Sequence, residues 1–310
     1  MLRISRERFE PLDLDEIRRA HPLPAVVGAV VKLIRAGKEM KACCPFHADR
    51  SPSFTIYEGG QRWHCFGGCG GGDVFDFLAR LHGVGLRDAA EMLTGGTAPT
   101  VYVPPLPVDD GPDRTDEARA IWAASVPAPG SLAETYLRSR ALTLTIPDSV
   151  RFTSLRYGTR GTEHPVLGAA VTSANDELIG IQRTYLRADG LGKLDVEKPK
   201  LSLGRISGGA IRLATWAAKL IVCEGLEDGL SLQQALGQAT WVAAGASMLP
   251  AMAFPAGVRS VMIGGDNDDA GRAAARKAAD SFALRGLEAG MFFPLDAKDF
   301  NAELMEGARA

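Results

Sequence analysis

The chain has 310 residues, 46% of them hydrophobic, enough for two or three compact cores and too many for wholesale disorder. Its formal charge of −2 excludes a uniformly basic nucleic-acid binder, although an acidic metal site can offset a basic groove in the same chain. Met1 to Glu10 is charged and does not read as a signal peptide, and the most apolar helical run, 25–34, falls far short of the roughly 20 residues that span a membrane. In chain order, apolar spacing predicts helices over 12–20 and 25–36, the second broken by Gly37. Two short strands, 53–57 and 61–65, flank Glu58-Gly59-Gly60 as a hairpin, and a helix over 73–81 presents Val74, Phe77, Leu78 and Leu81. Residues 94–113, rich in Gly, Pro and Thr, read as a linker. Helices are expected at 115–124 and 131–140, and 150–213 mixes short strands with turns. From residue 220 the pattern alternates: strands at 220–223, 240–243, 258–263 and 291–294, helices at 227–236 and 270–285. That is the pattern of a mostly parallel sheet flanked by helices.

Four of the five cysteines lie between Cys43 and Cys69, close to histidine, which favours metal binding over disulfides and points to a cytoplasmic protein. Cys44-Pro-Phe-His47 and Cys65-Phe-Gly-Gly-Cys69 supply two ligand pairs, and zinc takes four such donors in a tetrahedron. With Cys44, His47, Cys65 and Cys69 all from protein, such a site is structural. Cys43 adjoins Cys44, and the spacing to His47 favours Cys44. His64 points to the strand face opposite Cys65. Buried cysteines without metal are the bland alternative.

Lys41 to Thr55, followed by Trp63-His-Cys-Phe-Gly67 and Gly72 to Phe77, closely resembles the zinc-binding domain of DnaG-type primases over roughly residues 12–94. Members of that family carry a Cys-Pro-Phe-His knuckle, a Ser/Thr-Pro-Ser-Phe strand and a His-Cys-Phe-Gly knuckle; their last two cysteines are usually two residues apart, here three. The resemblance implies a zinc ribbon that helps select template DNA. Arg50, Arg62, Trp63, Phe54 and Phe66 could combine phosphate contacts with base stacking; Phe54 and Phe66 could equally fill the core.

Glu224 follows the apolar strand at 220–223, and Asp266 and Asp268 follow another in Gly264-Gly-Asp-Asn-Asp. Ligands of parallel sheets sit beyond the carboxyl ends of the strands, so the three acids are expected to converge on a divalent cation, Mg2+ or Mn2+. Helix capping competes for the acids at 268 and 269, and is preferred for Asp269. Ile221 to Asp228 with Gly265 to Arg272 resembles a Toprim domain, covering about 218–305. Glu224, Asp266 and Asp268 match its marks. Asp228 matches a further acidic position of primases, and Asp299 one near the end of the domain, where Asn301 replaces a second Asp. Upstream, Arg183 and Lys200 match a basic segment that in primases lines the template and nucleotide groove. For Arg205 and Arg212, surface charge and phosphate contact are both open.

The expected fold is multidomain α/β: a small zinc ribbon (a β-hairpin with helices, 1–95), a linker (96–114), an α+β basic subdomain (115–217) and a Toprim α/β domain with a mostly parallel sheet (218–310). The resemblance implies a DNA primase making short RNA primers from ribonucleoside triphosphates on single-stranded DNA, with a replicative helicase as partner and no membrane. Glu224 could hold metal or act as general base on the primer 3′-hydroxyl. A Toprim nuclease, or a non-catalytic DNA-binding accessory of a mobile element, are the alternatives. No Gly-x-x-x-x-Gly-Lys-Ser/Thr loop accompanies these marks.

Overall fold

The computed structural model describes residues 2–7, 12–49, 51–95, 113–158 and 161–309; all but two residues of the expected linker, and Arg50, lie outside them. The chain divides into two compact units, 10–108 and a larger one joining 1–9 to 109–310. The first strand, β1 (Ile4–Glu7), belongs to the larger unit.

In the smaller unit, α1 (Leu14–Ala20) starts at Asp13, whose carboxylate accepts from the Glu16 N–H at 2.9 Å. Pro22 then opens α2 (Leu23–Gly28). The helix expected over 25–36 ends early: residues 34–36 form β2 (Ile34–Ala36), paired with β3 (Glu39–Ala42). Gly28 and the β-branched Val30 and Val31 weaken the helix, and apolar spacing alone does not reveal the strand. β4 (Phe54–Tyr57), β5 (Arg62–Cys65) and β6 (Gly70–Gly72) complete an antiparallel sheet in the order β2-β3-β4-β5-β6, so the expected hairpin sits within five strands. Its inner face carries Phe54, Ile56, Trp63 and Cys65; Phe54 and Trp63 stack with ring centres 5.0 Å apart. α3 (Val74–His82) covers them with Phe75 and Phe77, and α4 (Leu86–Leu93) adds Ala89 and Ala90. Asp73 caps α3 in a reciprocal box with Asp76 and also receives Arg18.

The larger unit continues with α5 (Thr115–Ala124), β7 (Val126–Pro127) and α6 (Leu132–Ser139). Then come β8 (Val150–Arg156), β9 (Glu163–Thr172), β10 (Leu178–Tyr185) and β11 (Lys200–Gly204). These strands form an antiparallel sheet, β11-β10-β9-β8-β7. α5 covers one face of it, packing Ala118, Ile121 and Trp122 on Ile181 and Leu203. β12 (Ile211–Arg212), β13 (Lys219–Cys223), α7 (Leu226–Leu236), β14 (Thr240–Val242), β15 (Ser260–Gly264), α8 (Asp269–Leu284), β16 (Glu288–Pro294) and α9 (Phe300–Arg309) follow. The second sheet runs β1-β16-β15-β13-β14-β12, parallel through its four middle strands and antiparallel at both edges. Leu167 and Val171 of the first sheet share a core with Ile221, Val242 and Leu230 of the second layer.

Residues 4–7, grouped with the ribbon on sequence alone, instead form β1 of this second sheet, Ile4 opposite Pro294 and Glu7 opposite Met291. β16 is an apolar strand that β1 protects from edge pairing. Among the described residues no helix is long and apolar enough to cross a membrane.

Candidate functional site

In the ribbon, alternation along β5 turns Trp63 and Cys65 inward and Arg62 and His64 outward. The donor atoms of Cys44, His47, Cys65 and Cys69 all lie within 4.8 Å of one another, while Cys43 is exposed. His47 directs Nδ1 at the sulfurs, 3.2 Å from Cys69 and 3.9 Å from Cys65. Tetrahedral zinc with bonds of about 2.0–2.3 Å sets its donors about 3.3–3.8 Å apart, so this set fits the ion. Burial, then the crowding of Cys65 and Cys69, pushes the Cys44 thiol up to about 12, a repulsion that a bound cation removes. Asp49 organises the first knuckle, accepting from the Cys44 N–H at 2.8 Å and the Ser53 hydroxyl at 2.6 Å. The second knuckle needs Gly67: a Cβ there would stand 2.7 Å from His47 Cε1.

Phe54 and Trp63, candidates for base stacking, are fully buried and serve the core. Phe66 is 76% exposed, edge-on to the outward His64 at 5.0 Å, with exposed Arg62 on the same strand.

In the larger unit, Glu224 leaves the carboxyl end of β13 and Asp266 follows β15, adjacent parallel strands with Cys223 opposite Gly264. The loop after β15 is tied to the loop after β16, since Asn267 donates its N–H to the Lys298 carbonyl at 2.7 Å. That brings in Asp299. Burial, then the negative charges of Glu224, Asp299 and Asp268, raise the Asp266 carboxyl to about 6. Burial, then Asp299, raises Asp228 to about 7, although it accepts the Asn301 N–H at 3.0 Å. Asp266 thus lies within electrostatic reach of Glu224, Asp268 and Asp299, and Asp228 within reach of Asp266 and Asp299. These are hard oxygen donors of the kind that suits a divalent cation, although among the described residues only the Cys/His set brings three or more donor atoms within 4.8 Å of one another.

Capping falls on Asp268 rather than Asp269: one Asp268 oxygen accepts from the Gly271 N–H at 2.8 Å, and the other pairs with Lys298 at 3.3 Å. Asp269 is the first residue of α8. Asn301 is buried and donates to the Arg140 carbonyl and the Ser231 hydroxyl, both at 3.0 Å, donations an aspartate could not make.

Lys200 reaches the cluster and Arg183 does not. Lys200 lies opposite Thr184, while Arg183 pairs with Leu201, so the two stand on opposite faces of the sheet. Arg183 faces the α5 side, where it gives a hydrogen bond to the Ser202 carbonyl. Arg205 pairs with Asp113 at 3.2 Å. Arg212 lies over the Trp241 ring and pairs with Asp176, which accounts for it structurally.

Sequence reading missed Glu227. It is 5% exposed, and its carboxylate receives Lys193 at 2.8 Å, Lys200 at 3.4 Å and the Tyr136 hydroxyl at 2.6 Å. Burial opposes its charge, but Lys200 and Lys193 outweigh burial and hold the carboxyl well below the usual range. The available signal was a third acid within five residues, Glu224-Gly-Leu-Glu-Asp228, more than a metal site requires.

Comparison with known proteins follows the same division. Residues 10–101 match the CHC2 zinc finger family, 112–213 a domain family of unknown function, and 219–310 the Toprim domain family. A DNA primase of Geobacillus stearothermophilus is 37% identical over 114 residues, 36% of this chain and 19% of that protein. A DNA primase of Mycobacterium tuberculosis is 34% identical over 123 residues, 39% of this chain and 19% of that one. The chain thus spans about a fifth of the length of these relatives. The zinc-binding and RNA polymerase domains of the Aquifex aeolicus primase align with 97% of this chain and 85% of that one, at 18% identity and a TM-score of 0.43. Fold and sites define a protein that joins a zinc ribbon to a Toprim domain. In its zinc finger and Toprim matches, and over part of its sequence, the chain is similar to DNA primases.

Proposed function

We propose that the chain is a DNA primase: it makes short RNA primers from ribonucleoside triphosphates on single-stranded DNA by nucleotidyl transfer. What supports this reading is that Glu224 and Asp266 follow the carboxyl ends of the adjacent parallel strands β13 and β15, with Asp266 within electrostatic reach of Glu224, Asp268 and Asp299, and Lys200 within reach of Glu224 and Asp228. We assign Glu224, Asp266 and Asp268 to a catalytic Mg2+ or Mn2+ and Cys44, His47, Cys65 and Cys69 to structural zinc. A bound divalent cation supplies charge neutralisation for the triphosphate and the leaving pyrophosphate. Asp266 and Glu224 would hold it from the strand ends, and Asp268 would offer the oxygen that now pairs with Lys298 while its other oxygen caps α8. Lys200 lies where it can meet phosphate oxygens. Asp228 and Asp299 keep the site acidic without being needed in the first set of ligands. On the ribbon, Phe66, His64 and Arg62 offer a ring face and a cation to an unpaired template base and its phosphate. Domain content supports a replicative helicase as partner and a cytoplasmic site of action.

The test supplies the full chain with single-stranded DNA, ribonucleoside triphosphates and Mg2+. Template-dependent oligoribonucleotides, lost in Asp266→Ala, support the proposal. Strand scission without synthesis identifies a nuclease instead. Unchanged synthesis in Asp266→Ala would remove the acidic cluster from the mechanism.

A further inference from the structure

We propose that Glu227 and Lys193 are positioning residues for nucleotide binding: the buried Glu227 carboxylate holds the Lys193 and Lys200 ammoniums together at the edge of the acidic cluster, where the pair receives the polyphosphate of a nucleoside triphosphate. The proposal rests on the nucleotidyl-transfer reading of that cluster and adds to it a second cation and the residue that places both.

The geometry comes from four separate elements of one unit. Glu227 is in the first turn of α7, next to Asp228, and successive residues of a helix point about 100° apart. The same turn therefore sends Asp228 to the acids and Glu227 to the lysines. Lys200 opens β11 opposite Thr184. Lys193 belongs to the segment between β10 and β11, where it bridges to Leu186 while the Leu194 N–H donates to the Tyr185 carbonyl at 2.8 Å. Tyr136, from α6, fills the remaining side of the carboxylate.

Charge decides what this arrangement can do. One carboxylate between two ammoniums leaves a net charge of +1, where an isolated ion pair would leave none. Two ammoniums sharing one anchor repel each other, and without the carboxylate one must swing away or lose its proton. Both remain about one-third exposed at the side chain, so an anion can reach them, while Glu227 is closed to solvent. Lys200 is also within electrostatic reach of Asp228 and Glu224, which sets the pair beside the proposed cation. A triphosphate bridging cation and lysines satisfies both groups of charge at once.

The full chain, Glu227→Gln, Lys193→Met and the double variant are compared for primer synthesis against ribonucleotide concentration, and for equilibrium binding of a fluorescent ATP analogue. Each single variant is expected to raise KM and weaken analogue binding about tenfold with kcat nearly kept, and the double variant to be no worse than the worse single one. A folded Glu227→Gln protein with unchanged or lower KM overturns the proposal. So does a fall in melting temperature and kcat with KM intact, the pattern of a merely structural ion pair. Should Glu227→Gln fail to fold, Lys193→Met decides by the same criterion. Binding is read separately from synthesis. A wild-type chain that binds the analogue tightly but makes no primer therefore sinks the nucleotidyl-transfer reading alone.

Discussion

At the scale of single residues, Asp266 and Asp228 carry repulsion that the proposed cation would relieve. Asp266 is raised to about 6 and Asp228 to about 7, both chiefly by burial and then by neighbouring carboxylates. Their unfolded values are near ~3.9. A carboxyl raised on folding keeps its full contribution below the unfolded pKa and loses it as pH rises through the folded one. Without added divalent cation, the larger unit is therefore expected to lose stability between about pH 4 and pH 7 from these groups. Mg2+ or Mn2+ should restore it, strongly at pH 8 and weakly at pH 5, where protons compete for the same oxygens. Melting temperatures across that range, with and without the cation, check this. Equal stabilisation at both pH values would separate these acids from cation binding.

At the scale of elements, β5 shows what a strand's two faces do. Trp63 is buried against Phe54, and its indole N–H donates to the Asp73 carbonyl at 3.0 Å. Trp63→Ala is expected to destabilise the ribbon by about 3–5 kcal/mol. Phe66→Ala, on an exposed ring, should leave stability within about 0.5 kcal/mol while weakening binding of single-stranded DNA by about 1–3 kcal/mol. Denaturant unfolding and fluorescence anisotropy measure the two. Equal DNA affinity in Phe66→Ala would move the template elsewhere. The period of two was legible in the sequence here, as were the ligand spacing of Cys44 to Cys69 and the strand-then-acid order of Glu224 and Asp266. Features made by distant pairing were not. β6 is three glycines, without strand propensity, and exists because Trp63, His64 and Cys65 pair with it. β1 needs β16, nearly 290 residues away, to become a strand. Nothing local in Glu227 announces Lys193, Lys200 and Tyr136, which lie 27 to 91 residues distant and meet it only once the sheets have packed. The 25–36 segment misled in the opposite sense, because Gly28 and paired β-branched residues undo a helix whose apolar spacing is sound.

At the scale of the whole molecule, two units draw stability from different sources. The larger has two sheets and several buried aromatic and aliphatic layers. The smaller has fewer than 100 residues, and one end of its sheet is closed around four metal donors. Small domains of this kind depend on the metal for much of their folding free energy. Removing zinc frees Cys44, Cys65 and Cys69 to repel or oxidise and leaves β5 and β6 joined by a glycine-rich turn with no anchor. Chelation is therefore expected to release one zinc per chain and expose the amides of β4, β5 and β6 to hydrogen exchange. The amides of β13, β15 and β16 should stay protected, because no ligand of that site lies in their sheet. Cys69→Ser should reproduce the pattern without chelator. Metal analysis with exchange mass spectrometry resolves the two units by peptide. Loss of protection in both together would mean that the larger unit also depends on zinc, and unchanged protection in the ribbon would mean that its aromatic core, with Phe54, Trp63 and Phe77 in mutual contact, suffices without the ion.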